Sequence, residues 1–172
     1  MIKSKILKII IRNNDQKIPS REECLSILNK NKTPSNVIEH SKAVCKVTEE
    51  IADNLIEKGI KIDKGLVIAA SLLHDIEREK KEHIMEGAKL IKNMGFPEVA
   101  KVMSKHSLYK IENPLKQPKT YEEKIVFYAD KRVKGSKIVS LEERFRDLKE
   151  RYNIDLKEEF EFAKKIEKEL VQ

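Results

Sequence analysis

The chain has 172 residues, a formal net charge of +7, five glycines, five prolines and no tryptophan. That length fits one domain, and the abundance of Lys, Glu, Ile and Leu favours an all-helical protein over a β-sandwich or a disordered chain. Two cysteines, Cys24 and Cys45, without CxxC spacing exclude a disulfide framework and a zinc knuckle, and the positive charge suits an anionic partner such as a nucleotide, a nucleic acid or a phosphate ester.

The N-terminal stretch Met1 to Leu7 is broken by lysines and lacks the apolar run of a signal peptide, and no stretch is long enough to span a membrane. A reduced, cytoplasmic protein is expected. Residues 1–12 read as a short helix or strand, ended by Asn13-Asn14-Asp15. Ser20-Arg21-Glu22-Glu23 is a capping box that opens a short helix. Thr33-Pro34-Ser35 starts a long helix, with Val37, Val44, Val47, Ile51 and Leu55 at helical spacing and Gly59 at its end. Asp63 caps an apolar helix running from Leu66 to Leu73. A charged connector over 77–82 leads to a helix from about His83 to Met94, stopped by Gly95.

Phe96-Pro97-Glu98 opens a further helix carrying Val99, Val102, Met103 and His106 on one face. Ser107 to Lys119 holds two prolines and no periodicity, and reads as the longest loop. Thr120-Tyr121-Glu122-Glu123 is a second capping box, and its helix carries Val126, Phe127, Asp130 and Val133 before Gly135 stops it. A third box, Ser140-Leu141-Glu142-Glu143, and then Asp155 with Glu158, open the last two helices. The spacing therefore predicts a single domain over 1–172 with seven or eight helices. Residues 34–135 form its core, 1–33 an N-terminal helical extension, and 140–172 the C-terminal helices, which cover the core or form a homodimer face.

All four histidines, His40, His74, His83 and His106, fall on apolar faces of predicted helices. A lone histidine in such a place is commonly a satisfied core residue. Four together, with Asp75 beside His74 and Asp130 on another apolar face, are better explained by convergence on metal. Aspartate is almost never buried unpaired, and a bound cation offsets the burial of imidazole and carboxylate. This ligand set suits one or two divalent transition-metal ions, iron, manganese, cobalt, nickel or zinc. No GxSxG elbow and no Walker loop is present, which removes two other routes to hydrolysis or phosphate binding.

The segments Asn36-Val37-Ile38-Glu39-His40-Ser41, Leu72-Leu73-His74-Asp75-Ile76 and Phe127-Tyr128-Ala129-Asp130 resemble the HD-domain metal-dependent phosphohydrolases. The further histidines His83 and His106 resemble the subset with a dinuclear centre, nearest in pattern to the bacterial diadenosine tetraphosphate hydrolases of the YqeK type. The Gly-Tyr-Pro motif of the HD-GYP domains, which cleave cyclic di-GMP, is absent. The resemblance implies an HD-type helical bundle in which His40, His74, Asp75 and Asp130 hold one metal. Asp75 then bridges to a second metal held by His83 and His106. Where many relatives have HDIGK, this chain reads His74-Asp75-Ile76-Glu77-Arg78, so Arg78 supplies the cation, with a bidentate fork for phosphate.

The expected activity is hydrolysis of a phosphoester or phosphoanhydride in a nucleotide or related small phosphate compound. A metal-activated hydroxide attacks phosphorus, and Asp75 and Arg78 form the catalytic centre. Arg78, Lys131 and Lys134 are the candidate substrate-binding cations, although a solvated surface is the ordinary place for a lysine. Two alternatives stand beside this reading. One is a regulatory module that binds metal and nucleotide without turnover. The other is a helical nucleic-acid-binding protein, which the net charge supports but no docking motif does.

Overall fold

The computed structural model describes residues 17–171 and shows among them eight α-helices and one two-stranded antiparallel hairpin. In chain order the helices are α1 (Arg21–Lys30), α2 (Ser35–Glu57), α3 (Lys64–Leu73), α4 (His83–Asn93), α5 (Pro97–Met103), α6 (Tyr121–Lys131), α7 (Leu141–Tyr152) and α8 (Lys157–Val171). The hairpin, β1 (Val133–Lys134) and β2 (Lys137–Ile138), lies between α6 and α7. The expectation of a helix or strand over 1–12 falls outside the described residues.

The apolar run at 66–73 becomes the middle of the bundle. Val67, Ala69, Ala70, Ser71, Leu72 and Leu73 of α3 are all buried, so the helix is enclosed on every side rather than amphipathic. Helices α1, α2, α5 and α6 pack around it. Asp63 caps it by accepting the Leu66 N–H at 3.0 Å. The C-terminal helices close the bundle with Leu141, Phe145, Ala163, Ile166 and Leu170 in the core. Phe162 of α8 meets Phe127 of α6 edge-on at 5.6 Å, and Phe145 meets Phe160 at 5.3 Å.

Local signals place most ends correctly. The boxes at Ser20 and Thr120 are formed in both directions. The box at Ser140 is half formed: Ser140 Oγ accepts the Glu143 N–H, while the reciprocal bond is not made. Pro34 is the residue before the first turn of α2 rather than within it. Gly59 and Gly95 end α2 and α4 with φ of +83° and +92°.

Two expectations are corrected. Gly135 does not stop a helix. Helix α6 ends at Lys131, and Gly135 is the first turn residue of the hairpin, with φ of +60° and Val133 paired to Ile138. The Val139 N–H on the Arg132 carbonyl, at 2.8 Å, closes the hairpin's base. Nor do all four histidines sit inside helices. His40 and His83 do, but His74 is the residue that ends α3, and His106 lies past the end of α5. Both are buried all the same. Termination puts each ring at a helix end, where the last turn's carbonyls are unpaired and free to accept a proton from it.

Cys24 and Cys45 are free and wholly buried. Burial, with lesser help from Cys45 and Glu23, pushes the Cys24 thiol up to about 12, and burial raises Cys45 also. Both therefore stay protonated and unreactive at neutral pH. A thiol reagent such as DTNB should titrate neither cysteine in the native protein at pH 8 and both after denaturation. Because the folded value lies above the unfolded one, the Cys24 contribution to stability is complete below pH 9 and is lost as the pH rises towards 12.

Candidate metal centre

The end of α3 delivers two of the ligands at once. His74 is 0 % exposed and Asp75 6 %. The turn that follows is fixed from the α1–α2 connection: Asn31 Nδ2 and Thr33 Oγ1 both donate to the Ile76 carbonyl, at 3.2 and 3.3 Å. Gly87 lets α4 pass close to the same turn, since a Cβ there would stand 3.3 Å from the Ile76 methyl. That approach brings His83, at the first position of α4, to the rim of the site. His40 comes from α2 and Asp130 from the last turn of α6. All six sequence-predicted ligands meet in one place.

Main-chain carbonyls set the histidine tautomers. His40 Nδ1 lies 2.7 Å from the Gly135 carbonyl, His74 Nδ1 2.7 Å from that of Ser71, and His106 Nδ1 2.6 Å from that of Met103. A carbonyl only accepts, so each Nδ1 carries the proton and each neutral ring presents its Nε2 lone pair inwards. Those Nε2 atoms face carboxylates. His40 Nε2 is 3.0 Å and His74 Nε2 3.4 Å from Asp130 Oδ1. His74 Nε2 is 3.6 Å from Asp75 Oδ2, while His106 and His83 Nε2 are 3.5 and 3.7 Å from Asp75 Oδ1. The rings follow one another closely, with centroids 5.4 Å apart for His40 and His74 and 4.9 Å for His74 and His106.

Lone pairs pointed at carboxylate oxygens repel unless a cation lies between them. His40, His74 and Asp130 form one triad with the spacing of a metal site, and His74, Asp75 and His106 form another. His74 Nε2 and Asp75 Oδ1 are buried without a hydrogen-bond partner. Such orphaned groups cost stability unless something fills the gap, and imidazole nitrogen with carboxylate oxygen is a donor set that transition metals take. The residues therefore fit a divalent transition metal. An imidazole nitrogen has one lone pair, so His74 serves one triad at a time. A carboxylate has two oxygens, and Asp75 turns one towards His74 and the other towards His83 and His106.

His83 differs from the other three. Its Nε2 accepts from Arg78 Nη1 at 2.9 Å, and the Arg78 Nε is 3.8 Å from Asp75 Oδ2. The guanidinium thus stands where a second cation would engage His83, and the single lone pair serves one of them at a time. Burial, opposed by Asp75 and helped by Arg78, holds His83 below its ordinary pKa, which keeps it a neutral acceptor. Arg78 lines the cleft above the site. Lys131 is buried, and its Nζ contacts Asp130 Oδ2 and donates to the His106 carbonyl at 2.7 Å. Lys134 turns to Asp147 of α7, at 3.4 Å. Sequence reasoning missed the Ile76 clamp and the Gly135 carbonyl, both made by residues far apart in the chain.

Burial alone would lower the His74 pKa, but the Asp75 charge and the Asp130 contact outweigh it and raise it. Asp75 and Asp130 are held below the usual carboxylate range despite burial, Asp75 chiefly by His74 and His106 and Asp130 chiefly by Lys131 and His40. Both carboxylates are therefore ionised at neutral pH.

A helical bundle that gathers histidines and aspartates from several helix ends into a buried metal-type site defines a class of metal-binding α-proteins. The match to known families is specific: residues 37–134, more than half of the chain, fit the HD domain. The chain belongs to the HD domain family, within the superfamily of metal-dependent phosphohydrolases. It is 34 % identical over 144 residues to an uncharacterized protein of Methanocaldococcus jannaschii, covering 76 % of this chain and 85 % of that one. It is 32 % identical over 140 residues to a tRNA (cytidine(56)-2'-O)-methyltransferase of Picrophilus torridus and 31 % identical to that of Thermoplasma volcanium. Each of those two matches covers 73 % of this chain but only 40 % of the methyltransferase. No solved structure matches the chain at a significant level.

Two outcomes follow for metal binding. In metal-free protein a proton on His74 takes the cation's place. Its raised pKa contributes stability that is present on the acid side and lost as the pH rises through the folded value. Metal competes with that proton for the same nitrogen. The rise in melting temperature on adding Mn²⁺ should therefore be larger at pH 8 than at pH 6, as measured by thermal denaturation. Second, elemental analysis of metal-loaded variants should show no bound ion in Asp75→Ala. His83→Ala should keep the ion held by His40, His74 and Asp130.

Proposed function

We propose that this protein is a metal-dependent phosphohydrolase that cleaves a phosphoester or phosphoanhydride bond of a nucleotide or related small phosphate compound. The observation that carries the reading is the pair of orphaned buried atoms, His74 Nε2 and Asp75 Oδ1, within two overlapping triads of candidate ligands, where Asp75 lines a cleft of about 670 Å³. A cleft of that size holds a ligand well beyond inorganic phosphate.

His40, His74, Asp75 and Asp130 would hold one divalent ion, and Asp75 with His83 and His106 a second. Ions so held would supply Lewis acidity and lower the pKa of water towards about 7. The chain's own residues do the rest. The carbonyls of Gly135, Ser71 and Met103 keep three imidazoles in the ligating tautomer. Arg78 offers a guanidinium fork that leaves His83 for the phosphate oxygens when substrate enters, balancing charge that grows during bond cleavage. Lys131 keeps Asp130 ionised and oriented.

The two relatives named for tRNA modification favour a second reading, in which the phosphate attacked belongs to an RNA. The net charge of +7 agrees with it.

Purified protein loaded with Mn²⁺, Fe²⁺ or Co²⁺ should release inorganic phosphate or a nucleotide product, read by chromatography, from at least one member of a panel of nucleotides, cyclic nucleotides and end-phosphorylated RNAs. Chelation should abolish that release, and Asp75→Ala should cut it by more than about 100-fold, the upper end of what loss of an outer-shell partner costs. Metal-loaded protein inert on the whole panel would leave a binding module as the function.

A further inference from the structure

The candidate metal ligands line only part of the cleft. Another part of its wall comes from α7 and the α7–α8 turn, outside the 37–134 segment that defines the family. There the cleft is lined by Arg144, Arg151, Tyr152 and Ile154, with Tyr109 from the 107–119 loop. The charge in this wall does not balance. Asp147 is paired with Arg151 at 2.8 Å, Arg144 at 3.0 Å and Lys134 at 3.4 Å. Glu159 of α8 lines the cleft there as well, so two carboxylates against three cations leave an excess of one positive charge.

Arg144 is the sharpest part. Its side chain is 11 % exposed, and its Nε is buried with no hydrogen-bond partner. A guanidinium N–H in that state calls for an acceptor. Tyr109, Tyr152 and Ile154 are large apolar side chains left 70 %, 51 % and 46 % exposed in the same cleft. Aromatic faces in such a place stack bases or sugars without regard to sequence.

The geometry points to a second phosphate subsite at Arg144 and Arg151, so that the ligand is a nucleoside bearing two separated phosphate groups. One phosphate lies at the metal ligands, the other at the α7 arginines, and the nucleoside spans the apolar stretch between. This rests on the phosphohydrolase reading. The bisphosphorylated nucleoside can be free or the end of an RNA, since both present the same chemistry.

The test is equilibrium binding to Mn²⁺-loaded full-length protein by calorimetry. The probes are adenosine and uridine 5′-phosphonate, the matching 3′,5′-bisphosphonates, and an RNA trinucleotide ending in the bisphosphonate. Methylene in place of each ester oxygen keeps them from being cleaved. At least one bisphosphonate should bind about tenfold or more tightly than its monophosphonate, a difference of about 1.4 kcal/mol. Arg144→Gln and Arg151→Gln should each remove most of that preference and change monophosphonate affinity by less than about twofold. Arg151 is half exposed, so its variant carries the test if Arg144→Gln fails to fold, as judged by circular dichroism. Trinucleotide binding tighter than the free bisphosphonate assigns the subsite to RNA, and equal binding assigns it to a mononucleotide. Equal binding of mono- and bisphosphonates to the wild type, or equal weakening of both in the variants, overturns the second subsite alone. Binding of no probe at all overturns the phosphohydrolase reading with it.

Discussion

Three imidazoles with their Nδ1 protons committed to main-chain carbonyls can donate to the carboxylates in front of them only by taking up a second proton. That constraint organises the centre of this protein. Had one of those carbonyls been replaced by a donor, the ring would have flipped its tautomer and formed an ordinary hydrogen bond to Asp75 or Asp130. Instead, nitrogen lone pairs and carboxylate oxygens face each other at 3.0 to 3.7 Å. A site of that kind is unstable by itself and is completed by positive charge, whether proton, guanidinium or metal. The raised His74, the Arg78 contact to His83 and the Lys131 contact to Asp130 are three local answers to the same deficit.

The burial of α3 makes this arrangement affordable. A helix surrounded by α1, α2, α5 and α6 fixes where His74 and Asp75 emerge, and a close-packed interior transmits that position without slack. Of the other candidate ligands, His83, His106 and Asp130 come from helix ends or the turns beyond them, where backbone polar groups remain available, while His40 lies inside α2. His74 and His106 use those free carbonyls directly, each reaching back three residues.

Much of this was legible in the sequence because it rests on local patterns. Apolar runs at helical spacing, capping boxes and glycines past helix ends mark the elements. Four histidines with Asp75 and Asp130 on apolar positions mark the ligand set, and the order His, His-Asp, Asp carries the family. What escaped depends on contacts between distant residues. The hairpin at 133–138 is too short for any period to show, and Gly135 looked like a helix stop because the turn needs the same positive φ. Arg144, Asp147 and Arg151, at i, i+3 and i+7, read as ordinary exposed pairs on a helix. Only the fold shows that Lys134 joins them and that Arg144 and Arg151 wall the cleft.

Lys131 has a further consequence. By occupying Asp130 Oδ2 it leaves one oxygen of that carboxylate facing His40 and His74. Asp130 is thereby made a monodentate donor, and a chelating grip by both oxygens is blocked. An ion held by that triad would have one carboxylate oxygen fewer to bind, which would favour the open coordination of a catalytic centre over the closed one of a structural site. A buried lysine would thus limit how much of this carboxylate an ion could take.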